Sequence, residues 1–154
     1  MAEKGSDSFF KKRLASDKRA FLRNTGKVNF SGKRVVYWMQ RAQRPFCNPA
    51  LDFAINCAND LDKPLVVVFS ARADIPRANE RHYQFMFEGL SETARHLEDL
   101  GAPMLFANAS ELSLEHSIDK LSPALVVGDE NPLRQLEHWR GEACRTSRGA
   151  VRNR

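Results

Sequence analysis

The hydrophobic residues of this chain fall into four short, unbroken runs. They are Val35–Met39, Leu65–Phe69, Met104–Ala107 and Ala124–Val127. Their length suits strands, and the lack of alternation between polar and apolar positions suits strands covered on both faces of a parallel sheet. Helical patterns separate the runs, so the chain is predicted to adopt an α/β fold.

Helix boundaries are well marked between these runs. Four helices are predicted: Pro49 to about Leu61, Arg77–Leu100, Glu111–Leu121, and Pro132 to Trp139. The first and last begin with Asn-Pro, which places an N-cap residue before a proline at the first helical position. The second has its apolar residues on one face, and Gly101 follows where a left-handed C-terminal cap is expected.

Charge divides the chain into three parts. Residues 1–34 carry ten Lys/Arg and three acids, and residues 140–154 carry five Arg and one Glu, whereas the middle carries nine Lys/Arg and fifteen acids. The net charge of +5 therefore comes from the two ends. We expect residues 1–30 to form a basic arm that is partly helical or mobile, 31–140 to form the domain, and 141–154 to form a disordered Arg-rich tail.

Several functional classes lack their sequence signals. There is no apolar run long enough to span a membrane and no apolar N-terminal segment of a secretory signal. Three scattered cysteines suit a reduced compartment, so a cytoplasmic location without membrane contact is expected. Glycine-rich phosphate loops, a Gly-x-Ser-x-Gly motif and paired metal-ligand spacings are absent from the sequence.

The first run and the loop after it carry a family resemblance. Tyr37-Trp-Met-Gln-Arg41 with Gln43-Arg44 resembles the first strand and loop of class II DNA photolyases, which repair cyclobutane pyrimidine dimers with light. Three further segments are similar to that family: Pro64–Phe69, Arg81–Leu90, and Val126-Val127 with Asp129 and Pro132-Leu-Arg134. The resemblance covers roughly residues 30–140.

This resemblance implies a Rossmann-like open parallel sheet in the order 3-2-1-4, with helices on both faces. A fifth strand would lie beside the fourth, and no run for it is visible, so we expect it to be missing. In the family, FAD and the flipped dimer bind a large helical domain whose residues cannot be mapped onto this chain. We therefore expect no FAD binding and no autonomous catalysis here. In some members the N-terminal domain holds a light-harvesting antenna, either a deazaflavin or a folate.

The strand order implied by the resemblance places a site between the first and fourth strands. Open α/β sheets bind ligands where the strand order reverses, at the carboxyl ends of the strands. Both Asn-Pro helix starts would face this crevice with free N–H groups, which favours an anionic or acceptor-rich ligand. The candidate cofactor-binding residues are Trp38, Met39, Gln40, Arg41, Asp129 and Arg134, with Arg44 close by.

Each candidate has a structural alternative. Trp38 and Met39 form an apolar wall for a ring system or are core residues. Gln40 and Arg41 contact a ligand or satisfy loop carbonyls. Asp129 accepts from a ligand or caps the next helix.

Three functional hypotheses remain open at this point. The chain is an antenna or scaffold domain of a photolyase, a stand-alone nucleotide-binding or signalling module, or a truncated remnant without a ligand. Partners implied by the sequence are a separate catalytic domain, a second copy paired through the bare edge of the fourth strand, and DNA held weakly and non-specifically by the basic termini.

Overall fold

The computed structural model describes residues 5, 8, 9, 12, 13, 17–22, 27–71, 78–108, 118–130 and 151–153. Their elements, in chain order, are β1 (Phe21–Leu22), β2 (Arg34–Met39), α1 (Pro49–Leu61), β3 (Leu65–Ala71), α2 (Glu80–Asp99), β4 (Met104–Asn108), β5 (Pro123–Gly128) and β6 (Val151–Asn153). All four predicted strands are present. The predicted helix over 132–139 and most of that over 111–121 lie outside the described residues, although residues 118–120 are helical.

One sheet joins the strands in the order β1-β6-β5-β2-β3-β4. The four strands predicted from the sequence are parallel neighbours in the order β4-β3-β2-β5, which confirms the predicted 3-2-1-4 arrangement and the open α/β fold class. At the far edge, the two-residue β1 runs antiparallel to β6.

A fifth parallel strand lies beside β5, so the prediction that it was missing is wrong. Val151–Asn153 pairs with β5, with Val151 opposite Val126. Three residues with a single β-branched side chain are too short to produce a recognisable apolar run. The edge of β5, through which a second copy was expected to pair, is therefore covered by β6.

Strand β2 lies between β5 and β3 in the sheet, and both of its faces are buried. Val35, Tyr37 and Met39 point into a core that the two helices α1 and α2 complete. Val36 and Trp38 point to the opposite face, where Ile118 packs against them. The unbroken apolar run in the sequence follows from this double coverage.

The two helices begin and end close to where their cap residues predict. Asn48 caps α1 by accepting the Leu51 N–H, and α1 ends at Asp62 in a left-handed conformation. Helix α2 starts three residues later than its apolar pattern suggested, because Asn79 and His82 form a capping box. At its C-terminus Gly101 has φ +74°, which confirms the expected left-handed cap.

The segment before β2 is held against the start of β5. Asn29 N–H donates to Ala124 O at 2.9 Å, and Lys33 N–H donates to Ser122 O at 2.7 Å. Between them, a Cβ on Gly32 would lie 2.4 Å from Ala124 N. Only glycine permits this approach of two backbones.

Part of the basic arm contacts the domain. Phe9 and Ala20 pack against the core on the α1 side, and Arg13 forms an ion pair with Asp60 of α1. Among the described residues, no helix is long and apolar enough to cross a membrane.

Candidate ligand crevice between β2 and β5

A crevice opens at the carboxyl ends of β2 and β5, where the strand order reverses. Its volume is about 410 Å³, within the usual range of small-molecule sites. The lining residues come from the loop after β2, the first turn of α1 and the end of β5: Arg41, Ala42, Arg44, Asn48, Pro49, Ala50, Asp129 and Glu130. The topology thus produces a concave site at the place predicted.

Asp129 ties the two strand ends together. Its Oδ2 accepts the backbone N–H groups of Gln40 at 3.2 Å, Arg41 at 2.9 Å and Ala42 at 2.9 Å. Its Oδ1 accepts from the hydroxyl of Tyr37. The side chain is only 3% exposed, and the loop amides are what stabilises its charge there. The carboxylate therefore fixes the course of the loop after β2.

Tyr37 and Asn48 extend this network into the core. The Asn48 side-chain amide donates to the Tyr37 hydroxyl at 3.1 Å, while that hydroxyl donates to Asp129. Burial raises the pKa of Tyr37 well above its ordinary value, and the negative charge of Asp129 raises it further. The hydroxyl therefore stays protonated and serves as a fixed donor.

Asn48 also closes the loop at the start of α1. Its side-chain nitrogen lies 3.0 Å from Ala42 O and 3.1 Å from Arg44 O, so its two hydrogens are shared among these carbonyls and the Tyr37 hydroxyl, and its oxygen accepts the Leu51 N–H at 3.1 Å. Pro49 has no N–H, and the Leu51 N–H donates to Asn48. Among the first three residues of α1, Ala50 therefore has the one backbone N–H for which no described group serves as acceptor. The helix terminus thus offers a single donor to the crevice, fewer than a helix start without these features.

Among the described residues, the charged groups on the rim are two cations, Arg41 and Arg44, and one acid, Glu130. Arg41 is exposed and makes no side-chain hydrogen bond among the described residues. Arg44 is also exposed, but its Nε and Nη2 donate to Cys47 O at 3.1 and 3.0 Å, which orders the guanidinium. Glu130 is exposed at the opposite side. Of the cations that the structure describes at the crevice, Arg41 is therefore the one best placed to contact a ligand.

Helix α2 supports the loop from outside. Thr93 Oγ1 donates to Gln43 O at 3.3 Å, and the ring of Phe46 meets that of His96 edge-on with centroids 5.4 Å apart. Within the loop, the Gln43 side chain donates to Gln40 O at 3.1 Å. Contacts with α2 and hydrogen bonds within the loop together fix the conformation of the loop after β2.

The structure separates the residues predicted for this site into two groups. Arg41 and Asp129 lie in the crevice, and Gln40 contributes its backbone N–H to Asp129. Trp38 is 4% exposed on the Ile118 face, with Nε1 3.4 Å from Ser70 Oγ, and Met39 is fully buried on the α1 face. Neither is among the crevice-lining residues. Arg134 lies outside the described residues.

Sequence reasoning missed Tyr37 and the second role of Asn48. Tyr37 stands in an otherwise apolar strand, and a buried tyrosine hydroxyl nearly always has a hydrogen-bond partner. This rule could have predicted a buried hydrogen-bond partner for Tyr37, such as a polar side chain that follows a neighbouring strand. No cluster of His, Cys, Asp or Glu that could hold a metal ion occurs in the part of the chain that the structure describes.

Fold and site together define an open α/β domain with a small polar crevice at its switch point. The model of the DNA photolyase family matches residues 35–151. The chain belongs to the DNA photolyase family.

Three curated relatives have the name deoxyribodipyrimidine photo-lyase. The one from Methanothermobacter thermautotrophicus is 38% identical over 123 residues, which are 79% of this chain and 27% of the relative. The one from Arabidopsis thaliana is 31% identical over 72% of this chain and 23% of the relative. The one from Potorous tridactylus is 41% identical over 68% of this chain and 20% of the relative. The matched part of the chain thus spans about a quarter of the length of these relatives.

Proposed function

We propose that this chain is the N-terminal α/β domain of a class II photolyase and serves the light-driven repair of pyrimidine dimers by holding a light-harvesting chromophore. The match to the DNA photolyase family over residues 35–151 and the similarity to deoxyribodipyrimidine photo-lyases support the link to DNA repair. The class II assignment rests on the Tyr37–Arg41 motif and the segment containing Asp129.

The observation that carries the antenna role is the crevice between β2 and β5. Its volume of about 410 Å³ accommodates a ring system such as a deazaflavin or a folate. A bound antenna would absorb light and pass the excitation energy onward. Arg41 would lie flat on the ring or pair with an anionic substituent, since guanidinium groups do both. Ala50 N–H would donate to a ring acceptor.

The residues behind the crevice would keep this site rigid. Asp129, Tyr37 and Asn48 bond to one another or to the loop, so the loop needs little reordering when a ligand enters. Preorganisation of this kind reduces the entropic cost of binding. FAD has no place in this proposal, because no FAD-binding residue can be mapped onto this chain.

A scaffold without a ligand is the second candidate, and the saturation of the polar network favours it. Both oxygens of Asp129 accept internal donors, and Trp38 and Met39 are buried in the core instead of lining a ring site. In this case the polar network would only stabilise the carboxyl ends of the strands, and the domain would act as a structural support for a catalytic domain.

The visible absorption spectrum of the freshly purified protein separates the two candidates. A band from a co-purified chromophore supports the antenna role. Thermal-shift titrations with a deazaflavin, a folate, AMP and ATP then identify the class of ligand. Stabilisation by the deazaflavin or folate agrees with the proposal, stabilisation by nucleotides alone favours a nucleotide-binding module, and no stabilisation by any of them leaves the scaffold.

DNA contact is proposed for the basic termini alone. Part of the N-terminal charge is already neutralised, because Arg13 pairs with Asp60 of α1. The remaining cations would bind phosphates without sequence preference, and such binding weakens steeply as salt rises. Affinity for duplex DNA that is the same at low and moderate salt would contradict this part of the proposal.

A further inference from the structure

Three consecutive backbone amides in the loop after β2 point at one spot. The N–H groups of Gln40, Arg41 and Ala42, here named the amide cradle, converge on a single oxygen at 3.2, 2.9 and 2.9 Å. Successive N–H groups that converge in this way form an anion-binding concavity. The amide cradle lies at the switch point of the sheet, where many α/β proteins bind a ligand phosphate.

In this chain the anion in the amide cradle is internal. The oxygen belongs to Asp129, whose carboxylate is 3% exposed and is held on its other side by the Tyr37 hydroxyl. Asp129 directly follows β5, which is hydrogen-bonded to β2 as far as Gly128, so the sheet itself positions the carboxylate. A ligand anion therefore cannot displace the Asp129 carboxylate from the amide cradle as easily as it could displace a mobile side chain.

We propose that Asp129 determines the specificity of the crevice by occupying the amide cradle, so that ligand phosphates and carboxylates are excluded from it. The inference rests on the proposed ligand-binding role of the crevice and adds the class of ligand that it accepts. An incoming ligand meets Arg41 and the Ala50 N–H at the rim and finds the amide cradle closed. This selects for a ring with polar edge groups over a nucleotide that relies on a backbone phosphate cradle.

Glu130 provides a matched comparison within the same crevice. It carries the same charge and lines the same volume, but it is exposed and no hydrogen bond joins it to the loop among the described residues. Removal of Glu130 therefore changes the charge of the crevice without opening the amide cradle. Removal of Asp129 does both.

The test is anion binding by the full chain, wild-type, Asp129→Ala and Glu130→Ala, followed by amide nuclear magnetic resonance. Inorganic phosphate and formate are the probes. Asp129→Ala is expected to bind formate or phosphate about tenfold or more tightly than the other two proteins. The amide resonances of residues 40–42 should shift saturably in that variant and in neither of the others.

Three results would overturn the proposal, two with folded proteins and one with an Asp129→Ala variant that does not fold. One is a wild-type protein whose amides 40–42 respond to phosphate as strongly as those of Asp129→Ala. The other is an Asp129→Ala protein that folds but whose amides ignore both anions. If this variant folds only in the presence of formate or phosphate, that dependence itself supports the proposal, and failure to fold with either anion contradicts it.

The outcome is separate from that of the proposed function. A wild-type protein that binds no chromophore would contradict the proposed function, yet the anion titration would still show whether Asp129 closes the amide cradle. Conversely, chromophore binding by a wild-type protein whose amide cradle also takes phosphate would retain the function and reject the inference.

Discussion

The carboxylate of Asp129 accepts the backbone N–H of Ala42 at 2.9 Å, across a separation of 87 residues in the sequence. This bond joins the end of one strand to the loop leaving its neighbour. It is the structural link between the fold, which pairs β2 with β5, and the crevice, whose rim that loop forms.

Loss of the Asp129 carboxylate should weaken the fold more than loss of any other acid at the crevice. Asp129→Ala leaves three loop amides and the Tyr37 hydroxyl without their acceptor, and we expect a cost of about 3 kcal/mol in the free energy of unfolding. Glu130→Ala should change it by less than about 0.5 kcal/mol. Urea denaturation followed by circular dichroism measures both, and equal values for the two variants would contradict the assigned role of Asp129.

Tyr37 should make stability depend on pH in the alkaline range. Its pKa is raised by burial in the folded protein, while the unfolded chain titrates near the ordinary 10.0. The protonated Tyr37 hydroxyl therefore contributes fully to the free energy of unfolding below about pH 10. Above that pH, the free energy of unfolding falls by about 1.4 kcal/mol per pH unit, because only the unfolded state releases the proton. Tyr37→Phe should lack this component of the decline.

Phenolate absorbance checks the same point directly. The chain has two tyrosines. Until the protein unfolds, the alkaline titration of wild-type should match that of Tyr37→Phe. An additional phenolate in the folded wild-type protein would show that Tyr37 is more accessible than its contacts indicate.

Asn48 and Asn79 allow two N-caps to be compared. The Asn79 side chain is exposed and accepts the N–H of His82, whereas Asn48 is buried and also donates to Tyr37 and to two loop carbonyls. Asn79→Ala should cost about 1 kcal/mol and Asn48→Ala about 2–3 kcal/mol. Chemical denaturation of both variants gives the difference, and a smaller cost at Asn48 would show that its loop bonds contribute nothing.

Gly32 and Gly89 should respond oppositely to replacement by alanine. A Cβ at Gly32 would meet backbone atoms of Pro123 and Ala124 at 2.4–2.5 Å, and no atom lies within 4 Å of a Cβ at Gly89. Gly32→Ala should destabilise by about 2 kcal/mol or more. Gly89→Ala, inside α2, should stabilise by about 0.5–1 kcal/mol. Thermal unfolding distinguishes them, and a neutral Gly32→Ala would mean that the segment before β2 can move away from β5.

The fold was largely predictable from the sequence, because unbroken apolar runs and Asn-Pro starts are local signals. The runs at Val35–Met39 and Ala124–Val127 identified two strands, and the resemblance supplied their order. Strand β6 was not predictable, since its pairing depends on the edge that β5 offers and not on its own composition.

The position of the crevice was predictable from the sequence, but the contacts of its residues were only partly so. The position of Asp129 after a strand indicated a polar group at the switch point. Its actual partners are backbone amides of a loop 87 to 89 residues away, and a sequence carries no direct signal for such contacts. Trp38 had two interpretations, an apolar wall for a ligand or a core residue, and alternation along β2 turns it into the core beside Ile118.

The chromophore role is tested most directly by equilibrium titrations of the purified chain with a deazaflavin and, separately, with a folate, each followed by absorption spectroscopy. Wild-type, Arg41→Gln and Lys120→Gln are compared, since Lys120 carries the same charge but precedes the amino end of β5, away from the crevice. We expect saturable binding by wild-type and Lys120→Gln, and affinity weaker by about tenfold in Arg41→Gln. No binding of either ligand by wild-type, or equal affinity in Arg41→Gln and Lys120→Gln, would contradict the claim that this crevice holds the chromophore.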